Sequence, residues 1–170
     1  MLPIETERLR LRLLEERDAV RFARYRSDAA VARYQSWETM SVAEAHAFIG
    51  THGRSFLDDV GKWSQLAIAD KVTDDIIGDI GLRRHTEKTV EIGFTLAPEA
   101  QGKGLATEAC RAATDLVFQL TEATTMEAVI DTRNVAAVAV ARRLGMSLDR
   151  TEAAEFKGEV CAEHHFVLRR

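Results

Sequence analysis

Cysteine, proline and long apolar runs are all scarce in this chain. Its 170 residues include two cysteines and two prolines, and no segment approaches the apolar length of a membrane span. Cys110 and Cys161 form no Cys-x-x-Cys pair, so a disulfide framework is not expected and a reducing compartment is the simpler interpretation. Glu5 and Glu7 are acidic residues where a secretory signal would need an apolar core. We therefore predict a cytoplasmic protein.

Basic residues are also fewer than acidic ones. Lysine and arginine total 23 against 27 aspartates and glutamates, a net charge of -4. This balance argues against a nucleic-acid binder held mainly by phosphate contacts, and it tolerates a cationic substrate. With 46% hydrophobic residues, the composition is typical of a globular protein that can bury a sizeable core. We predict one domain over residues 1–170.

The most informative stretch runs from Thr89 to Ala109. Val90, Ile92, Phe94 and Leu96 alternate with polar or small residues, which predicts a strand with two unlike faces that ends at Pro98. The next segment, Gln101-Gly102-Lys103-Gly104, precedes a helical pattern over residues 105–120. Backbone N–H groups at such a helix N-terminus are unpaired and carry partial positive charge. The stretch therefore predicts a phosphate site.

Two common phosphate motifs do not fit this loop. A Walker loop needs Ser or Thr after Gly-Lys and a glycine five positions earlier, but here Gly104 follows Lys103 and the earlier position is Ala97. A dinucleotide fingerprint needs a third Gly or Ala where this chain has Thr107.

The remaining elements surround this stretch. Strict alternation predicts a strand over residues 8–13, Asp18 is expected to cap a helix over 19–25, and Ser41 to Glu44 form a capping box for the next helix. Strands over 63–70, 76–83 and from 89 are expected to form an antiparallel meander. The helix over 105–120 then crosses to a parallel strand over 126–131. Asn134 caps a helix over 135–144, and two strands flank the Lys157-Gly158 turn.

Four stretches, which span nearly the whole chain, resemble the GNAT superfamily of acyl-CoA N-acyltransferases, and within it the Rim-like branch of ribosomal-protein N-terminal acetyltransferases. They are Glu5 to Arg12, Trp37 with Ser41 to Ile49, Glu91 to Phe94 running into Gln101 to Ala109, and Asn134 to Ala136 with Arg143 to Met146. The resemblance implies an α/β GNAT fold with a mixed sheet of about seven strands, a splayed parallel pair and about four helices.

The same resemblance implies acetyl-CoA as co-substrate, with its pyrophosphate on the loop and its pantetheine arm between the splayed strands. The implied cofactor-binding residues are Phe94, Thr95, Leu96, Gln101, Gly102, Lys103, Gly104, Leu105, Ala106, Thr107 and Asn134. Asn134 is equally interpreted as a plain helix cap. No metal is expected, because His164 and His165 are adjacent on a strand and point to opposite faces.

In this family the acceptor amine attacks the thioester directly, without an acyl-enzyme. The protein must then supply a base for the amine proton and hydrogen-bond donors for the thioester oxygen and the departing sulfur. Glu91, on the polar strand face, is the candidate catalytic base, although an exposed strand carboxylate is often only solvated or paired. Ala137 stands where Rim-like enzymes commonly have serine, and no tyrosine follows Tyr34, so no general acid is evident. Cys110 is expected to be a small buried residue.

Three aromatic residues, Tyr34, Trp37 and Trp63, are candidates for the acceptor site, with core packing as the alternative. The predicted function is acetyl transfer to a primary amine, with a protein or peptide N-terminal α-amine as the first choice. Two alternatives stay open: a small-molecule amine such as an aminoglycoside or polyamine, and a non-catalytic acyl-CoA-binding regulatory protein. Nucleic acid and membrane are not expected partners, and a homodimer is compatible with the sequence.

Overall fold

A computed structural model describes residues 2–53 and 56–170. Within these residues the chain forms one mixed sheet of eight strands and five α-helices. The strands are β1 (Ile4–Glu5), β2 (Leu9–Leu13), β3 (Trp63–Asp70), β4 (Ile76–Arg84), β5 (Thr89–Leu96), β6 (Thr125–Asp131), β7 (Ser147–Phe156) and β8 (Glu159–Arg169). The helices are α1 (Ala19–Arg26), α2 (Ala29–Ala32), α3 (Val42–His52), α4 (Leu105–Leu120) and α5 (Val135–Arg143).

The strand order is β1-β2-β3-β4-β5-β6-β8-β7. Neighbours are antiparallel except β5 and β6, which are parallel. This confirms the predicted meander, the crossover through α4 and the closing hairpin at Lys157-Gly158. The additional strand, β1, has two residues, too few for alternation to reveal it.

Helices cover both faces of the sheet. On one face, α4 and α5 bury Ala109, Cys110, Val117 and Val138 against a core that includes Leu66, Ile80 and Ile92. On the other face, α1 and α3 bury Phe22, Tyr25, Ala45 and Ile49 around Ala67. Because side chains alternate along a strand, the odd-numbered residues of β5, and those of β4 from Asp79 onward, face α1 and α3.

One predicted cap is confirmed and another is wrong. Ser41 accepts a hydrogen bond from Glu44 N–H at 3.2 Å and donates its own N–H to the Glu44 carboxylate at 2.7 Å. Asp18 does not cap α1 with its side chain. It is 3% exposed and accepts from both Arg12 terminal nitrogens at 2.8 and 2.9 Å. A buried arginine needs a paired charge, and that demand takes the carboxylate away from the helix end.

In the described part of the chain, no helix is both long and apolar enough to cross a bilayer. Cys110 is fully buried, as predicted, and burial raises the pKa of its thiol.

Candidate active site

The loop before α4 has the conformation that its glycines allow. Gly102 and Gly104 have φ of 74° and 77°, the left-handed region that glycine enters without steric cost. Gly104 is the residue before α4, so the N–H groups of Leu105, Ala106 and Thr107 have no acceptor within the helix. The loop and the first helical turn therefore present several backbone donors to one region, the arrangement that holds a phosphate.

A buried hydroxyl adds to these donors. Thr107 Oγ1 is the one fully buried side-chain polar atom that lacks a hydrogen-bond partner across residues 2–53 and 56–170. Such an atom is costly unless something satisfies it, and a phosphate oxygen on the adjacent N–H groups would do so. The side chains of Gln101 and Lys103 instead hold the loop, since they donate to the carbonyls of Leu96 at 3.0 Å and Glu99 at 2.8 Å.

Arg8 in the N-terminal segment binds both this loop and α4. Arg8 Nη1 donates to the Lys103 carbonyl at 2.9 Å, while Arg8 Nε and Nη2 bind the Glu108 carboxylate at 2.8 and 2.7 Å. Glu108 also accepts from Thr6 Oγ1 at 2.5 Å and from Arg8 N–H at 2.9 Å. Burial alone would raise the pKa of Glu108, but these hydrogen bonds outweigh it and the pKa is lowered. The carboxylate is therefore ionised at neutral pH and can hold Arg8 in place.

Arg8→Met should weaken acetyl-CoA binding by roughly three- to tenfold, because the variant loses the hydrogen bond that orients the Lys103 carbonyl within the phosphate loop. Calorimetric titration with acetyl-CoA measures the effect. Arg10→Met is the matched control, since Arg10 pairs with Glu5 and Asp74 and makes no contact with the loop. Equal dissociation constants in the two variants would show that Arg8 does not support the cofactor loop.

Strands β5 and β6 separate toward the C-terminal end of β5, the end that leads into this loop. They pair over three positions, from Thr89 opposite Thr125 to Glu91 opposite Glu127, and then diverge. Ala97 N–H donates to Ile77 and His85 N–H to Thr89, so the odd-numbered residues of β5 form the hydrogen-bonded pairs with β4. The backbone groups of Ile92, Phe94 and Leu96 consequently point into the gap. An extended ligand arm can pair with them there.

Asn134 lies at the end of the gap, just after β6. Its Oδ1 accepts from Ala137 N–H at 3.2 Å, so it caps α5. The helix-cap interpretation is thereby confirmed, and contact with the cofactor stays a prediction.

The opposite side of the gap adjoins a cavity of about 330 Å³ on the α1 and α3 face of the sheet. Three rows of paired residues cross β3, β4 and β5 beneath it. Ala67, Asp79 and Thr95 form the first row, Gln65, Gly81 and Gly93 the second, and Trp63, Arg83 and Glu91 the third. In the second row the Trp63 ring covers Gly81, whereas a Cβ at Gly93 would meet no heavy atom within 4 Å. The floor of the cavity is therefore open at Gly93.

Aromatic and charged side chains enclose this cavity, which is the candidate site for the acceptor and which we call the acceptor pocket. Its walls include Arg26, Trp37, Phe48, His52, Trp63 and Asp79. The Arg26 guanidinium lies 3.9 Å from the Trp37 ring centroid, 4.2 Å from that of Phe22 and 4.8 Å from that of Phe48. These are cation–π distances, and the low local polarity makes them strong.

The base of the pocket holds a buried carboxylate. Asp79 is 1% exposed and Arg26 is 3% exposed. Asp79 Oδ1 accepts from Tyr25 Oη at 2.6 Å and Arg26 Nε at 3.3 Å, and Oδ2 accepts from Arg26 Nη2 at 2.6 Å and from Gln65 Nε2. Burial, and then the charge of Asp79, raise the pKa of Tyr25 well above its usual value, so its hydroxyl remains a donor.

Sequence reasoning missed Arg26, Gln65 and Asp79. A signal existed, because Asp79 is the one charged residue within the apolar run from Ile76 to Leu82, and a charge there is rarely neutral to the fold. Nothing local connected it with Arg26, however, since the two are 53 positions apart.

Glu91 lies on the same strand face as the pocket, one row beyond Gly93. Its carboxylate is 18% exposed and binds His85 Nε2 at 2.7 Å. The carboxylate is thus paired and lies outside the pocket lining, and its role as base stays a prediction.

The three predicted acceptor-site aromatics have different positions. Trp37 and Trp63 both line the pocket, and Trp37 Nε1 donates to the Arg26 carbonyl at 2.8 Å. Tyr34 lies outside the pocket lining, with its hydroxyl 3.4 Å from the Arg133 carbonyl. Over residues 2–53 and 56–170, no group of three or more His, Cys, Asp and Glu side chains is arranged to hold a metal ion.

Comparison with known proteins agrees with this arrangement. The model for the acetyltransferase (GNAT) domain family matches residues 8–147. The protein YkkB of Bacillus subtilis is 32% identical over 151 residues, which covers 86% of both chains. An N-acetyltransferase named p20 from Bacillus licheniformis is 30% identical over 141 residues, or 81% of this chain and 78% of the relative.

Solved structures share the fold. A candidate ribosomal-protein-serine acetyltransferase from Vibrio cholerae has a TM-score of 0.83 and 25% identity, and covers 99% of this chain and 98% of its own. Spermidine N-acetyltransferase from Vibrio cholerae, solved in complex with CoA and spermine, has a TM-score of 0.82 and 20% identity over 96% of each chain. With the family model matched over most of its length, the chain belongs to the GNAT acetyltransferases and is an acetyl-CoA-dependent N-acetyltransferase.

Proposed function

We propose that the enzyme acetylates the N-terminal α-amine of a protein or peptide. The observation that carries this proposal is the charge of the acceptor pocket: its one described carboxylate, Asp79, already accepts four hydrogen bonds. A carboxylate has about four acceptor positions, so Asp79 has none left for a second ammonium group. The pocket therefore suits an acceptor with a single amine and an apolar or aromatic body.

The pocket and the gap meet at Phe94, which lines the pocket and directs its backbone groups into the gap. When bound, acetyl-CoA supplies a thioester carbonyl. The acceptor nitrogen attacks that carbon, the new C–N bond forms, and the C–S bond breaks with its electron pair on sulfur. The Phe94 N–H is positioned to donate to the carbonyl oxygen as negative charge develops there.

Glu91 is the proposed base, reached from the pocket through water across the open Gly93 position. Its contact with His85 offers a route for the proton to solvent. The demand on this base is small for an α-amine, because at a pKa near 8 roughly a tenth is already neutral at pH 7, against about one lysine amine in a few thousand. Weak, water-mediated assistance is sufficient for the first acceptor and not for the second.

No side chain is proposed as general acid. Ala137 occupies the position of the family serine and contributes only its N–H to the α5 cap. A thiolate whose thiol has a pKa near 8.5 is a fair leaving group, so water or a backbone N–H can take this role. The general-acid contribution that is forgone is at most roughly 10²- to 10⁴-fold.

A small-molecule amine is the second candidate, because spermidine acetyltransferase shares the fold. The saturated Asp79 argues against a polyamine, whose further ammonium groups need free carboxylates. Thiol release from acetyl-CoA, measured with a panel of N-terminal peptides, spermidine and an aminoglycoside, tests the assignment. We expect turnover on peptides; preference for a polyamine would replace the proposal, and tight acetyl-CoA binding without turnover on any acceptor would indicate a regulatory binding protein.

Gly93→Leu should raise the KM for the amine acceptor by roughly tenfold or more while the acetyl-CoA Kd changes little. A Cβ at Gly93 would meet no heavy atom within 4 Å, so a leucine side chain there would project into the open floor of the pocket and occupy the proposed acceptor space. Initial rates at saturating acetyl-CoA measure the effect.

Gly50→Leu is the matched control, since Gly50 also has open space around it but lies exposed on α3. Unchanged acceptor KM in Gly93→Leu would place the acceptor elsewhere on the protein.

A further inference from the structure

The Arg26 guanidinium has one nitrogen, Nη1, that does not donate a hydrogen bond to Asp79. Nε and Nη2 donate to the carboxylate, whereas Nη1 has no hydrogen-bond partner within residues 2–53 and 56–170. Nη1 is also absent from the fully buried atoms that lack a partner, of which Thr107 Oγ1 is the single case in those residues. Nη1 is therefore not completely buried, and the cavity that the Arg26 side chain lines is the acceptor pocket.

We propose that Arg26 is a specificity-determining residue that donates from Nη1 to the carbonyl oxygen next to the acceptor amine. The inference rests on the proposed function and adds the group by which an α-amino amide is distinguished from a simple alkylamine.

The surroundings of Arg26 make that single donor selective. Its ring contacts and 3% exposure remove it from bulk water, so a hydrogen bond from it is charge-assisted and strong. An acceptor without an oxygen at this point leaves a buried N–H unpaired. A site built to hydrogen-bond one group rejects analogues that lack it more effectively than an apolar wall does.

The charge balance selects a neutral oxygen in preference to a carboxylate. Arg26 and Asp79 together carry no net charge, so the pair presents a polar donor without an excess positive charge. A carbonyl oxygen accepts from it without further compensation, whereas a free carboxylate would bring an unbalanced negative charge into a buried site. A second ammonium group would face the Arg26 cation at the same position.

Three aromatic amines of similar size test the inference with the intact protein: phenylalaninamide, phenylalanine and phenethylamine. Values of kcat/KM are corrected for the neutral fraction of each amine, since their pKa values differ. We expect phenylalaninamide to exceed phenethylamine by roughly 10- to 100-fold, the effect of one charge-assisted hydrogen bond, and to exceed phenylalanine as well. Equal corrected values for the amide and phenethylamine would overturn the inference.

Substitution of Arg26 connects this preference to the residue. In Arg26→Lys the ammonium can still pair with Asp79, but no rigid second arm reaches the pocket, so the amide-to-phenethylamine ratio should fall toward one. Arg33→Lys, an exposed change on the same segment, should keep the wild-type ratio. If Arg26→Lys does not fold, Arg26→Gln combined with Asp79→Asn removes both buried charges together and should abolish the same ratio.

The role of Arg26 and the proposed function are contradicted by different results. Thiol release with all three amines at one corrected rate, or a ratio that survives in the Arg26 variants, would contradict the role of Arg26 and leave acetyl transfer to amines standing. Absence of thiol release with every amine and peptide would contradict the proposed function itself.

Discussion

Gly104→Val is expected to raise the acetyl-CoA Kd by roughly 100-fold or more. Gly104 has a φ of 77°, and a β-branched residue there is strained by about 1–2 kcal/mol. The loop would relax toward negative φ and turn its N–H groups away from the phosphate, which forfeits two or more charge-assisted hydrogen bonds of about 1.5–3 kcal/mol each. A Cβ at Gly104 would be in ordinary contact with Arg8 Nη2 at 3.6 Å, so the expected loss comes from the backbone conformation and not from a steric clash. Calorimetric titration measures the change.

Gly145→Val is the control that distinguishes a loss of cofactor affinity from a loss of folding stability. Gly145 has a similar φ of 84°, and a Cβ at this position would have no heavy atom within 4 Å, but Gly145 ends α5 rather than opening α4. We expect the two variants to lose comparable stability in thermal unfolding, while only Gly104→Val loses cofactor affinity. Wild-type affinity in Gly104→Val would remove the loop from the cofactor site.

Glu91→Gln should lower kcat by roughly 100-fold, within the range of general-base contributions, and leave the acetyl-CoA Kd within about twofold of wild type, since Glu91 lies outside the loop that holds the phosphate. Glutamine has the same shape and can keep the contact with His85, so the change removes proton affinity with little change in structure. The acidic limb of the pH–rate profile, where a general base becomes protonated and inactive, reports the effect.

Glu87→Gln is the control for this prediction. Glu87 lies in the β4–β5 turn, four residues before Glu91, and pairs with Arg84 at 2.6 Å, with 69% of its side chain exposed. This substitution should change neither kcat nor the pH–rate profile. A wild-type profile in Glu91→Gln would exclude Glu91 as the base and leave deprotonation of the amine to solvent.

Much of the cofactor side of the site could be predicted because its residues are contiguous. The helix over 105–120 has the predicted bounds, and the two glycines before it have the positive φ that their position requires. The strand, the loop and the helix follow each other in the chain, so alternation, helical periodicity and turn chemistry each act over a few residues.

The acceptor side was predicted only in part. Trp37 and Trp63 line the pocket, whereas Tyr34 directs its hydroxyl to the Arg133 carbonyl. Tyr34 and Trp37 lie in an irregular segment, which has no periodicity from which to infer where each side chain points. Asp18 shows the same limit, because its partner Arg12 lies on β2 and its burial outweighs the local preference for a cap.

By itself, the sequence determined the strands, the phosphate loop and the crossover helix, and with them the class of cofactor, because each depends on the conformational preferences of neighbouring residues. Only the tertiary structure decided which side chains enclose the pocket that we propose for the acceptor. Arg26, Gln65 and Asp79 meet because a helix and two strands pack together, and a carboxylate buried among them must be hydrogen-bonded on both oxygens.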